Sequence, residues 1–316
     1  MDTIGRVLAA GAMAFALAAC STPQTDYLRQ TPEQAAQSGA VAEAPFFAQR
    51  TRECGPAALA MALAASGLAV TPDDLVAEVY NPGRGGSLPP AVLTAARRHG
   101  RIAYPVASLK ILFREIAVGR PVLVLQNLGL SWLPQWHYAV VVGYDIDRGT
   151  VTLHSGGTPF LDMSMETFER TWERGGYWGL AVLRPGEIPG GAEEALYVKA
   201  VAGVERAGQA EAAAVSFRRA LDRWPGNLVA AMGLGNALYR LDDRHGAAGA
   251  FRIASQRHPE SADAHNNLAH VLMEIGALED AETAVRRAIS LGGAHIAAYR
   301  QTLDAVLTSR RLKTPG

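Results

Sequence analysis

Two cysteines in 316 residues exclude a disulfide-stapled scaffold. No histidine pairs with a cysteine or carboxylate at zinc-ligand spacing. His265 and His270, five apart on a helix-patterned stretch, do not share a face. No metal or cofactor is expected. There is no excess of either charge, with Lys+Arg and Asp+Glu at 30 each, and no basic stripe. Nucleic acid is thereby excluded as the first partner to consider. No phosphate-cradling Walker A motif occurs, and no apolar run is long enough to span a bilayer. What is there is ordinary globular material, 49% hydrophobic and 19% charged, enough for about two domains.

The N-terminus reads as an export signal. Met1–Arg6 is a short head, and Val7–Ala19 is an uncharged run of Ala, Leu, Met and Phe. It closes on Leu17-Ala18-Ala19-Cys20, which resembles the lipobox of bacterial lipoproteins. That resemblance implies a signal peptide over 1–19, lipidation of Cys20 and attachment to a membrane. Ser21, where enterobacterial sorting places Asp for the inner membrane, points to the outer membrane facing the periplasm. With Cys20 used in this way, Cys54 has no intramolecular disulfide partner. A thiol kept unpaired in an oxidising compartment is buried or used.

Residues 20–44, rich in Gln, Ala, Thr and Pro, are expected as a tether. A mixed segment follows over 45–184. Helices are predicted over 54–66, from the Thr71 cap to Tyr80, over 89–98 behind a Ser87 cap, and from the Ser108 cap to Gly119. Strands are predicted over 121–126, 138–145, 150–154 and 177–183, with Asp147-Arg148-Gly149 as a hairpin turn. Helices first and antiparallel strands later make an α+β pattern. Residues 185–192 are a Pro- and Gly-rich linker. From 193 to 316 the chain is Ala-rich with helical periodicity and a repeat of 34 residues. Ala213, Phe217, Ala220 and Pro225 recur as Ala247, Phe251, Ala254 and Pro259, then as Ala281, Val285, Ala288 and Gly293. Leu234, Gly235 and Leu238 recur as Leu268, Ala269 and Leu272. This resembles the tetratricopeptide repeat, implying three helical hairpins and a capping helix in an all-α solenoid that binds a protein partner.

Chemistry concentrates in Gln49-Arg50-Thr51-Arg52-Glu53-Cys54-Gly55-Pro56-Ala57-Ala58-Leu59. A thiol in the first turn of a helix lies near unpaired N–H groups and the positive dipole end, which favours the thiolate. Gln49, five residues upstream, offers an uncharged amide to a developing oxyanion beside the Cys54 N–H. His137, entering the apolar strand Tyr138–Asp145, is the candidate base. His154 is expected to line the cleft, and Trp132, Trp136, Trp172 and Trp178 to be core or cleft wall. Together the Cys and His motifs resemble the papain-like cysteine peptidases of the bacteriocin-processing, double-glycine-leader type, over 45–183. The resemblance implies cleavage of a peptide or protein substrate, with Cys54 as nucleophile, His137 as base and Gln49 as oxyanion donor. The family's third member, an Asp, is replaced here by Ser155. A Cys–His dyad, a neutral bond to His137 from Ser155 or Asn127, and a non-cutting peptide-binding site all stay open. So does a scaffold lipoprotein as the alternative class. Cys-Gly-Pro speaks against a cell-wall amide hydrolase.

Overall fold

The computed structural model describes residues 21–31, 36–49 and 53–313. The expected signal peptide and Cys20 lie outside them. The chain falls into two compact units, Met1–Leu88 with Pro105–Ala181, and Pro89–Tyr104 with Val182–Gly316.

In chain order, the first part comprises α1 (Pro23–Gln30), β1 (Ser38–Ala40), α2 (Cys54–Ala65), α3 (Pro72–Val79), β2 (Tyr80–Asn81) and β3 (Gly86–Ser87). Then come α4 (Pro89–Arg98), β4 (Ile102–Pro105), α5 (Leu109–Ala117), β5 (Val122–Asn127), β6 (Trp136–Asp145) and β7 (Thr150–Ser155). β8 (Thr158–Ser164), α6 (Met165–Glu173) and β9 (Gly179–Leu183) complete it. The sheet of the first unit has the order β9-β5-β6-β7-β8, with these neighbours paired antiparallel. β1 takes the edge of β6 beyond β5, with Ser38 opposite Asp145.

The helix that presents Cys54 is apolar all round, and that dictates its place. Ala57 through Leu63 on α2 are each at most 1% exposed. Such a helix belongs inside a domain, where each large apolar side chain contributes about 1.5–3 kcal/mol. α3 starts with Pro72, and the Thr71 N–H and hydroxyl both donate to Asp74 Oδ2, at 2.8 and 2.7 Å. Ser108 caps α5 by accepting the Ile111 N–H at 3.3 Å. Ser87, expected as a cap for α4, instead lies in β3 with its hydroxyl buried and unpartnered.

The segment expected as a tether carries two elements. Leu28 of α1 is 1% exposed, and the buried Glu169 carboxylate accepts the Gln24 and Thr25 N–H groups at 2.9 and 2.7 Å. A carboxylate at a helix N-terminus satisfies orphan donors and complements the dipole. Arg29 pairs with Glu166 at 2.6 Å, and the Leu109 N–H donates to Gln24 Oε1. The Gln- and Thr-rich composition reads as linker because its buried apolar residues, Leu28 and Val41, are few and far apart. β8 and α6 were likewise not expected. β8 is exposed along nearly its whole length, so it shows no alternation.

The second unit adds α7 (Glu194–Arg206), α8 (Ala210–Arg223), α9 (Leu228–Arg240), α10 (Arg244–Arg257), α11 (Ala262–Glu274), α12 (Leu278–Leu291) and α13 (Ile296–Lys313). Here α4 lies close to α7, since a Cβ added to Gly203 would meet the Arg97 guanidinium. Every aligned Ala of the repeat, 213, 220, 247, 254, 281 and 288, is fully buried. Phe217 and Phe251 fill the space left by Gly233 and Gly235, at which any Cβ would enter the rings. Asn227, Asp243 and Ser261 cap α9, α10 and α11. The second unit is thus a run of helical hairpins closed by α13, whose Tyr299 donates to Asp263 at 2.6 Å. Among the described residues no helix is long and apolar enough to cross a membrane.

Candidate active site

Cys54 is the first residue of α2 and is half-buried, a free thiol. Gly55 after it is forced: a Cβ there would collide with the Ser87 side chain, and it would reach Tyr138 Cδ2 at 3.6 Å. The Tyr138 phenol donates to the Ser87 carbonyl at 3.3 Å and lies edge-on to Trp178. Burial pushes its pKa up, and the Cys54 charge adds to that. The Cys54 helix therefore starts beside the residue that follows His137. From sequence Tyr138 reads only as a strand residue and Ser87 only as a helix cap, so neither points to the site.

His137 sits at the start of β6, opposite Gln126 of β5. Its Nε2 is 2.9 Å from Ser155 Oγ at the end of β7. Burial holds its pKa below the usual histidine value. Asn127, the other candidate partner, is spent elsewhere. Its Oδ1 accepts the Gly129 and Gln135 N–H groups at 3.0 and 2.9 Å, and its Nδ2 donates to the Leu130 carbonyl. Asp145 accepts the Arg148 N–H at 2.8 Å, a turn contact in the β6–β7 hairpin.

Gln49 ties the other two positions together. Its Nε2 donates to the Tyr138 carbonyl at 3.0 Å, and its Oε1 accepts the Gly156 N–H at 3.1 Å. Its own N–H donates to the Gly156 carbonyl at 3.0 Å. The segment preceding Cys54 is so bonded to the residue after His137 and to the residue after Ser155. One Gln49 Nε2 hydrogen is used in this bracing, and an amide carries a second. A pocket of about 280 Å³ is lined by Phe46, Phe47, Glu53, Ala57 and Asp73 among others. Ala57 shares the helix face of Cys54 at i, i+3.

His154 does not line a cleft. It is fully buried, its Nδ1 accepting the Phe160 N–H at 3.2 Å and its Nε2 placed 3.3 Å from the Ala44 carbonyl. Phe46 and Phe160 pack edge-on against the ring. Burial depresses its pKa, outweighing the bonds to Ala44 and Leu153. Protonation would charge a buried ring and break the Phe160 bond. A depressed folded-state pKa gives stability that is complete above the unfolded value of about 6.5 and is lost as pH falls through the folded one. The melting temperature is therefore expected to drop between pH 7.5 and pH 5, and His154→Gln to narrow that drop. Thermal denaturation at the two pH values measures both. Of the tryptophans, Trp172 is fully buried as expected, but Trp132 and Trp136 are 78% and 55% exposed. His265 and His270 take separate partners, the Pro259 carbonyl and Glu274.

The Peptidase_C39 like family matches residues 41–179, and the tetratricopeptide repeat matches 203–243 and 232–298. No curated relative matches the chain. A C39-like peptidase from Bacillus anthracis is similar at 18% identity, covering 46% of this chain and 98% of its own, with a TM-score of 0.42. The Yersinia enterocolitica type III secretion chaperone SycD, solved with a peptide of the translocator YopD, is similar at 14% identity. It covers 39% of this chain and 98% of its own, with a TM-score of 0.36. The Sgt2 tetratricopeptide domain from Aspergillus fumigatus is 16% identical over 39% of this chain and 85% of its own, with a TM-score of 0.35. The chain carries a C39-like peptidase domain followed by tetratricopeptide repeats.

Proposed function

We propose that this chain is an envelope-anchored cysteine peptidase of the double-glycine-leader type, with its repeats recruiting the substrate or a protein partner. The domains are 45–184 for the peptidase, 185–192 for the linker and 193–316 for the repeats, behind a signal peptide over 1–19. The anchor is a lipid on Cys20, placing the protein on the outer membrane facing the periplasm. The observation that carries the reading is the contact of His137 Nε2 with Ser155 Oγ, braced by Gln49.

With Nε2 on Ser155, Nδ1 is the ring nitrogen left to take the Cys54 proton. The Cys54 sulfur attacks the peptide carbonyl. The oxyanion is held by the Cys54 N–H and the second Gln49 Nε2 hydrogen. His137 then protonates the leaving amine, and a thioester joins the acyl group to Cys54. Water, deprotonated by His137, releases it. Ser155 orients the ring but supplies no negative charge to the imidazolium, unlike a carboxylate. Ser155→Ala is thus expected to lower kcat/KM only about 2–10-fold, the worth of one neutral hydrogen bond. Ser155→Asp raises the His137 pKa and shifts the acid limb of the rate profile upward. Steady-state kinetics across pH reads both.

The reading is tested by iodoacetamide alkylation of a Cys20→Ser chain, in which Cys54 is the only thiol. Between about pH 6 and 8 Cys54 reacts faster with His137 present than after His137→Ala. Equal rates would leave a peptide-binding scaffold lipoprotein, the reading that the missing carboxylate at 155 favours.

A further inference from the structure

The stretch between β5 and β6, Leu128-Gly129-Leu130-Ser131-Trp132-Leu133-Pro134-Gln135, has no charged residue. It is also the most exposed apolar surface of the first unit. Leu130 is 54%, Trp132 78%, Leu133 64% and Trp136 55% exposed. Adjacent apolar side chains this exposed mark a surface that something covers.

The loop is folded, not loose. Leu130 and Leu133 exchange backbone bonds at 3.2 and 3.1 Å, and the Leu128 N–H donates to the Gln135 carbonyl at 2.9 Å. Asn127 takes the Gly129 and Gln135 N–H groups. A Cβ on Gly129 would collide with the Leu133 carbonyl, so the tight closure needs glycine. With the Leu128, Gly129, Leu130, Leu133 and Gln135 N–H groups satisfied within the loop, most of its backbone donors need no water. A protruding Trp flanked by Leu suits the interface of a bilayer, where an apolar ring with one polar N–H is favoured.

The position agrees. Residues 1–20 enter the described fold at Ser21, and Thr22 next to it is 4% exposed. The N-terminus of α1 is held by Glu169 of α6. Arg174, at the C-terminal end of α6, donates to the Asn127 carbonyl at the root of the loop, at 3.2 and 3.1 Å. Glu169 and Arg174 are five positions apart, a rise of about 7.5 Å along the helix axis. The entry of the chain and the root of the apolar loop are thus both tied to α6 and its C-terminal flank.

The geometry points to residues 128–136 as a membrane-docking element that inserts Trp132 and Leu133 into the lipid surface beside the anchor. Its orientation rests on the anchored reading above. Docking there holds His137, next to Trp136, at the bilayer surface, so the favoured substrates are peptides emerging from or lying on a membrane.

The test uses the full-length chain with vesicles of phosphatidylethanolamine and phosphatidylglycerol whose acyl chains are brominated. Flotation reports the anchor, and quenching of tryptophan emission reports the loop. The wild type is expected to float and to lose emission up to roughly the share of two tryptophans in five. Trp132→Phe keeps flotation and loses most of that quenching, and Trp132→Asp with Leu133→Asp removes the rest. Flotation with emission unaffected by bromine overturns the docking element while the anchor stands. No flotation and no quenching overturn both. Without quenching, a raised KM for peptides in the Asp variant makes the loop a substrate wall. Concentration-dependent self-association lost in that variant makes it a contact between two copies. Either result overturns the proposal.

Discussion

Cys54→Ala is expected to abolish peptide hydrolysis, and His137→Ala to lower kcat/KM by about 10³–10⁴-fold. The sulfur has no substitute, because the described residues hold no other cysteine. The imidazole has none either. The buried His154 has both ring nitrogens committed, one to the Phe160 N–H and one to the Ala44 carbonyl. Asp145 is bound to its turn. Groups that act as a unit are far from additive, so the double variant is expected to be no worse than Cys54→Ala alone. A fluorogenic peptide library gives the measurement. Near-normal turnover after His137→Ala would remove the base from the mechanism, and the contact with Ser155 would be structural only.

The largest expected effect on stability is in the repeats. Phe217→Ala removes a fully buried ring from the interface of α8 and α9, at a cost of about 3–5 kcal/mol. The ring occupies the space above Gly233, so Gly233→Ala overpacks and costs about 1–3 kcal/mol on its own. In the double variant the new methyl group enters the hole left by the ring. The combined loss is then smaller than the sum, and urea denaturation of the four proteins of this cycle measures the coupling. Strict additivity would mean that the two residues do not share one space.

The repeats were legible because one packing solution is written three times. Ala, then Phe or Val, then Ala recur at 34 residues, and every aligned Ala is buried. The Cys54 helix was legible from its apolar run and from Gly55-Pro56. Ser155 was found only as a missing Asp, since a serine gives no sign of the partner its hydroxyl will meet. Gln49 was read as a free donor, and its bracing by Tyr138 and Gly156 depends on residues far along the chain. α1 escaped because its docking rests on a carboxylate well over a hundred residues away. Trp132 and Trp136 read as core or cleft wall because an apolar side chain declares a preference for leaving water without naming what receives it.

The bracing of Gln49 spans 107 residues to Gly156 and 89 to Tyr138. Closing loops of that length is slow, and such contacts form only once most of the chain between them has folded. Partly folded forms of the first unit therefore hold a thiol and an imidazole that have not yet met. On the peptidase reading proposed above, catalytic competence arrives with the last native contacts, so a partly folded chain cannot cleave itself or its neighbours.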